Sequence, residues 1–255
     1  LEQAAFGNAV GRWPLAVPNT PAELWLRAVA AAGQGRYASA QTDLAQVRRV
    51  ASPESPLVSL AHSTTGSILR QLGWHHRARH WDGVALRLAG DDPHARADAL
   101  VGLAADALGV GRFGVSATLL HAAGALSGTE ARQGVRSVWV SAELAMARGR
   151  GAEALQYARA GVAQAAALAS TRHRVKSAVV LAAALCTNGN LADARVVAET
   201  ALTETAECGL IPLRWAVASL LAGIGSDIHT STELTGIRDS AAALIERRGG
   251  RFAER

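Results

Sequence analysis

The residues best equipped for chemistry lie in one short run, Gly73-Trp74-His75-His76-Arg77-Ala78-Arg79-His80-Trp81-Asp82. His76 and His80 are four apart, so on a helix both imidazoles share one side and can reach one metal ion. Asp82, two residues on, points elsewhere and does not complete that set. Arg70, Arg77 and Arg79, beside two tryptophans, suit phosphate contact and base stacking. No recognition helix or RNA-binding signature accompanies them, so nucleic acid is disfavoured as a partner. The helical register developed below turns His76 and His80 outward, and a solvated convex face is the expected role of the run.

Catalytic patterns are missing elsewhere. There is no G-x-S-x-G elbow, no phosphate-binding P-loop and no H-E-x-x-H pair. Gly109-Val110-Gly111-Arg112-Phe113-Gly114 comes nearest to a dinucleotide fingerprint. It lies at a turn between helices rather than after a strand. The expectation is a non-catalytic protein with no cofactor and no metal.

Composition points to the elements that would position any site. Among 255 residues there are 56 Ala and 25 Gly, and aromatics make up 4%. Alanine at this density favours helix and is poor in strands. Two cysteines, Cys186 and Cys208, exclude a disulfide scaffold, and 49% apolar residues exclude a disordered chain. No apolar run is long enough to span a membrane. The chain shows no secretory leader pattern, and a cytoplasmic setting is expected. The formal charge of +5 comes from 25 Arg and one Lys against 21 acids, and it is spread along the chain. That is a soft pointer to acidic partners.

A repeat organises the whole. Gly35, Gly73, Gly111, Gly149 and Gly189 follow one another at intervals of 38, 38, 38 and 40 residues. Each is preceded by an Ala-rich apolar segment. Each is followed five positions later by a small residue: Ala40, Ala78, Ser116, Ala154 and Ala194. Further small or apolar residues recur four and then three positions on, the steps of one helix face. Only Asp82 breaks that series. The pattern predicts a helix–turn–helix unit in which Gly ends the first helix and the small residue lets two helices approach. A single hairpin cannot bury both faces, so the units must stack.

Start and stop signals give twelve helices, near 21–33, 37–50, 57–72, 75–88, 93–109 and 113–126, then 130–148, 151–169, 172–187, 191–207, 211–223 and 231–248. Thr20-Pro21-Ala22-Glu23 and Thr230-Ser231-Thr232-Glu233 read as capping boxes. Residues 1–19 are expected to be an irregular arm with at most a short helical turn, and Trp13 to tuck back on the first pair. Residues 20–248 form one solenoid domain of five clear repeats and a degenerate sixth pair. Residues 249–255 form a tail, frayed from 251. The last helix carries an apolar side, Leu234, Ile237, Ala241, Leu244 and Ile245, suited either to cap the solenoid or to pair with a second copy as a homodimer.

This arrangement resembles the tetratricopeptide repeat, especially the longer variants of bacterial regulators. Gly35, Tyr37, Ala40, Leu44 and Val47 fall at the family's Gly, Tyr, Ala, aromatic and Ala positions, and Pro53 lies near its terminal Pro. The resemblance implies an all-α solenoid, a right-handed superhelix whose first helices line a concave face that binds a peptide or protein. Projecting that register gives Trp25, Ser63, Ser67, Arg70, Asp98, Arg136, Trp139, Glu143, Lys176 and Arg214 as groove candidates. Arg70, Arg136, Lys176 and Arg214 suit carboxylates of an acidic partner. Trp25, Trp74, Trp81, Trp139 and Trp215 are all read first as helix-pair core, Trp25 and Trp139 being groove candidates as well. The family's Lys and Asn carboxylate clamp has no match in this chain. A protein-interaction scaffold is the leading expectation. The alternative is a sensor domain of a bacterial signalling or transcription regulator that takes a peptide or small effector.

Overall fold

The computed structural model describes residues 1–254 as helices and connections, with no strand among them. A short turn, α1 (Glu2–Ala5), precedes six antiparallel pairs. They are α2 (Pro21–Gly33) with α3 (Tyr37–Val50), α4 (Pro56–Gln71) with α5 (His75–Leu88), and α6 (Pro93–Gly109) with α7 (Phe113–Gly124). Then follow α8 (Ala131–Ala147) with α9 (Gly151–Ala166), α10 (Thr171–Thr187) with α11 (Leu191–Glu207), and α12 (Ile211–Ile224) with α13 (Ser231–Arg247). Consecutive pairs pack on one another, and α2, α4, α6, α8, α10 and α12 run side by side as an inner layer. The fold is all-α, an α-solenoid-like stack of helix pairs.

The repeat glycines do what their spacing requires. All five have positive φ, from +70° at Gly149 to +86° at Gly189. At each, the residue after Gly bonds back to the carbonyl five residues earlier, as in Arg36 N–H to Ala31 at 2.9 Å and Arg112 N–H to Ala107 at 2.8 Å. The glycine's own N–H bonds back three residues. This Schellman arrangement satisfies carbonyls that the helix end leaves open. The small residues five positions on, Ala40, Ala78, Ser116, Ala154 and Ala194, are all completely buried. Helix starts use the expected caps: Thr20 accepts from Glu23 N–H, Asp92 from Ala95 N–H, and Thr230 with Glu233 makes a full capping box. At Thr20 the box is incomplete, because Glu23 reaches the N–H of Asn19 instead.

The stack closes on itself within one turn. Arg248 C=O accepts from Ala38 N–H at 2.9 Å, and the Arg248 guanidinium donates to the carbonyl of Gln34 at 2.8 Å. Ile245 of α13 joins the core cluster of Tyr37, Leu44 and Ile68. The arm reinforces this junction. Val10 packs with Val175 and Leu210, Thr171 N–H donates to Gly7 C=O, and Arg172 donates to Val29 C=O at 3.0 Å. The last helix therefore covers its apolar side intramolecularly, burying Leu234, Ala241 and Ile245, while Ile237 and Leu244 stay half-buried.

Residues 251–253 are tied down where fraying was expected. Ala253 N–H donates to Leu72 C=O at 2.8 Å, Trp74 Nε1 donates to Arg251 C=O at 2.6 Å, and Phe252 packs on Trp215 with centroids 5.1 Å apart. The physical reason is closure: the tail caps the seam between the second pair and the sixth. Residue 255 lies outside the described residues. Trp13 does lie on the first pair, with the Arg36 guanidinium 3.8 Å above its ring. No helix among the described residues is long and apolar enough to cross a membrane.

Candidate functional site

The inner helices surround a chamber of about 480 Å³. Nine of the ten projected groove residues line it: Trp25 on α2, Ser63, Ser67 and Arg70 on α4, Asp98 on α6, Arg136, Trp139 and Glu143 on α8, and Lys176 on α10. Arg214 stands apart. Its guanidinium donates to Leu202 C=O at 3.1 Å, and it borders a shallow outer cleft with His229 and Glu233. The cause is a slip of one residue in register. Trp25, Trp139 and Trp215 each lie ten residues before a turn glycine (Gly35, Gly149 and Gly225), and all three face the chamber. Arg214 is eleven before Gly225, about 100° round the helix. Trp215 packs on the core cluster, as read, and is also the inner residue at that level.

One wall holds a buried charge network. The Arg70 guanidinium lies 2.7 Å from Asp82 Oδ2 and 2.5 Å from Asp106 Oδ1. Both carboxylates are fully buried. Gly66 on α4 and Gly102 on α6 make the room, since a Cβ on either would sit within 2.7 Å of the Asp82 carboxyl. Ser63 Oγ lies 3.1 Å from Asp82 Oδ1 and donates to Asp98 at 2.5 Å, and Asp98 also pairs with Arg136. Burial raises the Asp82 carboxyl to about 7, the opposing pull of Arg70 notwithstanding. Burial alone would lower the Arg70 pKa, but the two carboxylates outweigh it and raise it. Asp82, the exception in the repeat, is thus the inward partner of Arg70. His75 Nδ1 and Asp106 Oδ2 are buried beside this network without a hydrogen-bond partner.

A second wall was missed by the register projection. Arg132, Arg172 and His173 line the chamber one turn N-terminal to Arg136 and Lys176. Extending the inner stripe by four residues finds both arginines. Phe6 of the arm also enters, and nothing in the sequence pattern marked it. Its ring lies 4.1 Å from the Arg132 guanidinium carbon, 5.7 Å from that of Arg172 and 5.6 Å from the Trp25 ring. His173 stacks on Trp139 at 5.4 Å, and Trp139 Nε1 is fixed by Ser177 Oγ at 2.8 Å. Burial, followed by Arg172, Arg136 and Arg132, pushes the His173 imidazole down to about 3. Burial first and neighbouring arginines second hold the Arg136 and Arg172 guanidiniums down to about 10.

His76 and His80 lie exposed on α5, and no group of three metal-ligating side chains forms among the described residues. Cys186 and Cys208 are free thiols, both half-buried. No protein-family model matches the chain, and no curated protein matches it.

Proposed function

We propose that the chain is a non-catalytic binding module, and that its chamber takes a small effector. It is then a sensor unit of the kind found in bacterial signalling and transcription regulators. The carrying observation is that one closed turn converts the concave faces of six inner helices into a single recess of about 480 Å³. Recesses of this size fit small molecules. Phe6 enters this recess, and the first and sixth pairs meet beside it, an arrangement that suits a compact ligand better than a long peptide. For that reason the effector reading stands ahead of the scaffold reading, and the tetratricopeptide resemblance supports both.

The chemistry of the walls supports a binding role. Ser170 and His173 form a buried pair at 2.7 Å, the only arrangement here that resembles an activated nucleophile among the described residues. Ser170 does not line the chamber, and an imidazole held near 3 is a poor general base at neutral pH.

A thermal-shift screen of small molecules against the wild type and Ala105→Trp tests the reading. Ala105 is a wall residue, and a tryptophan there fills the recess. Stabilising compounds should lose their effect in the variant. Compounds that stabilise both proteins equally would place binding outside the chamber, and the proposal would fail.

A further inference from the structure

The cations of the chamber are not equally compensated. Arg70 has two carboxylates, Arg136 has Asp98, and Lys176 has Glu143 at 3.0 Å. Arg132 has Glu130 at 3.0 Å, but that acid is 55% exposed, so its charge is well screened by water. Arg172 has no carboxylate within ion-pairing distance among the described residues. Its one hydrogen bond runs from Nη1 to Val29 C=O. A guanidinium carries five N–H donors, so most of its capacity is left over at the chamber wall.

A half-buried charge without a counter-charge is costly, and here a second guanidinium shares the same aromatic ring. An anion between them would relieve both. Beside them the wall turns flat and apolar, with Trp25 next to Arg132 and Trp139 stacked on His173. We propose that the Arg172 end of the chamber is a carboxylate subsite, taking one carboxylate that carries a flat apolar body. The inference rests on the effector reading and gives it a ligand chemistry. One cation without a carboxylate, beside one that Glu130 already pairs, calls for a single negative charge. The fork of Arg172 suits the two oxygens of a carboxylate, and the neutral His173 leaves the positive field intact. The same chemistry arises from a free acid or from the C-terminus of a short peptide ending in an aromatic residue.

The test is calorimetric titration of the whole chain with 2-naphthoate, 2-naphthamide, inorganic phosphate, and the dipeptide Gly-Phe with free or amidated C-terminus. Charge-assisted hydrogen bonds of this kind give about ten-fold or more in affinity. The acid should therefore bind at least about ten-fold tighter than its amide. Arg172→Gln should erase that preference, and Arg172→Lys should keep part of it. Preference for the free dipeptide over its amide, with naphthoate silent, would support the same subsite filled by a peptide end. Equal binding of acid and amide, both lost in Ala105→Trp, would overturn the subsite and leave the effector reading intact. Tighter binding of phosphate than of naphthoate also overturns it, as does the absence of any binding. Should Arg172→Gln fail to fold, the acid–amide comparison on the wild type decides alone.

Discussion

Arg70 holds Asp82 at 2.7 Å in a place where the neighbouring repeats carry hydrocarbon. Nine residues after the turn glycine, the other four units have Leu44, Leu120, Ala158 and Ala198. Asp106 is a second such exception, at the level of Ala30, Ile68, Leu144 and Ala184. Two apolar core positions have thus become carboxylates that meet one arginine. Arg70→Met would leave both acids buried without their counter-charge. Breaking a pair this way costs about 3–5 kcal/mol. Urea unfolding of Arg70→Met should show a loss of that size, and adding Asp82→Asn and Asp106→Asn should recover most of it. An unchanged midpoint in the single variant would show that the network contributes nothing to stability.

The room for Asp82 comes from missing side chains. A Cβ at Gly102 would lie 2.6 Å from the Asp82 carboxyl, whereas one at Gly83 meets nothing within 4 Å. Gly102→Ala should destabilise by about 1–3 kcal/mol through overpacking. Gly83→Ala, in the interior of α5, should stabilise by about 0.5–1 kcal/mol. Opposite signs in denaturant midpoints are the expected result, and a shared sign would refute the packing account.

His173 gives stability a pH dependence. The folded imidazole is held down to about 3, by burial first and the three arginines second, while an unfolded histidine takes its proton near 6.5. Between those values the unfolded chain binds the extra proton, so stability is lost as pH falls from about 6.5 toward 3. Asp82 acts in the opposite sense. Its folded carboxyl is raised to about 7, chiefly by burial, so its contribution is lost as pH rises toward 7. The difference between wild type and His173→Gln isolates the first effect. The wild type should lose ground to the variant by up to about 1.4 kcal/mol per pH unit below 6.5. Parallel pH profiles would contradict a neutral buried His173.

The tail should matter more than its length suggests. Phe252 is half-buried on Trp215, and the backbone on either side of it is hydrogen-bonded to the second pair. Phe252→Ala should cost about 1–2 kcal/mol, less than a fully buried phenylalanine. Hydrogen exchange should quicken at the α4–α5 turn as well as in α12. Exchange confined to the last few residues would mean that the tail does not brace the seam.

Local order was legible in the chain and closure was not. The turn glycines and the Pro, Ser, Asp and Thr caps act over four to six residues, and they place every long helix within about three residues. The largest error is α9, which ends at Ala166 rather than at 169 because Ala167 and Leu168 leave the helix in a turn. The groove stripe followed from the same period, which is why nine projected residues converge. It stopped a turn short of Arg132 and Arg172, and it slipped by one on α12, where the repeat spacing changes. The junction of first and last pairs relies on backbone carbonyls at Gln34 and Arg248, and the tail on that of Leu72. Carbonyls belong to every residue and leave no trace in a sequence pattern. Phe6 escaped for a related reason: a lone aromatic in a non-periodic arm has no register to read.

In an open stack of repeats the end units have one neighbour each, and they open first on heating or in denaturant. Here the first pair leans on the sixth. Two hydrogen bonds and the Ile245 side chain join them, so neither end unit is left with a single neighbour. The meeting of the two ends at Ala38, Gln34 and Arg248 therefore gives the outermost units a second set of contacts that an open stack denies them.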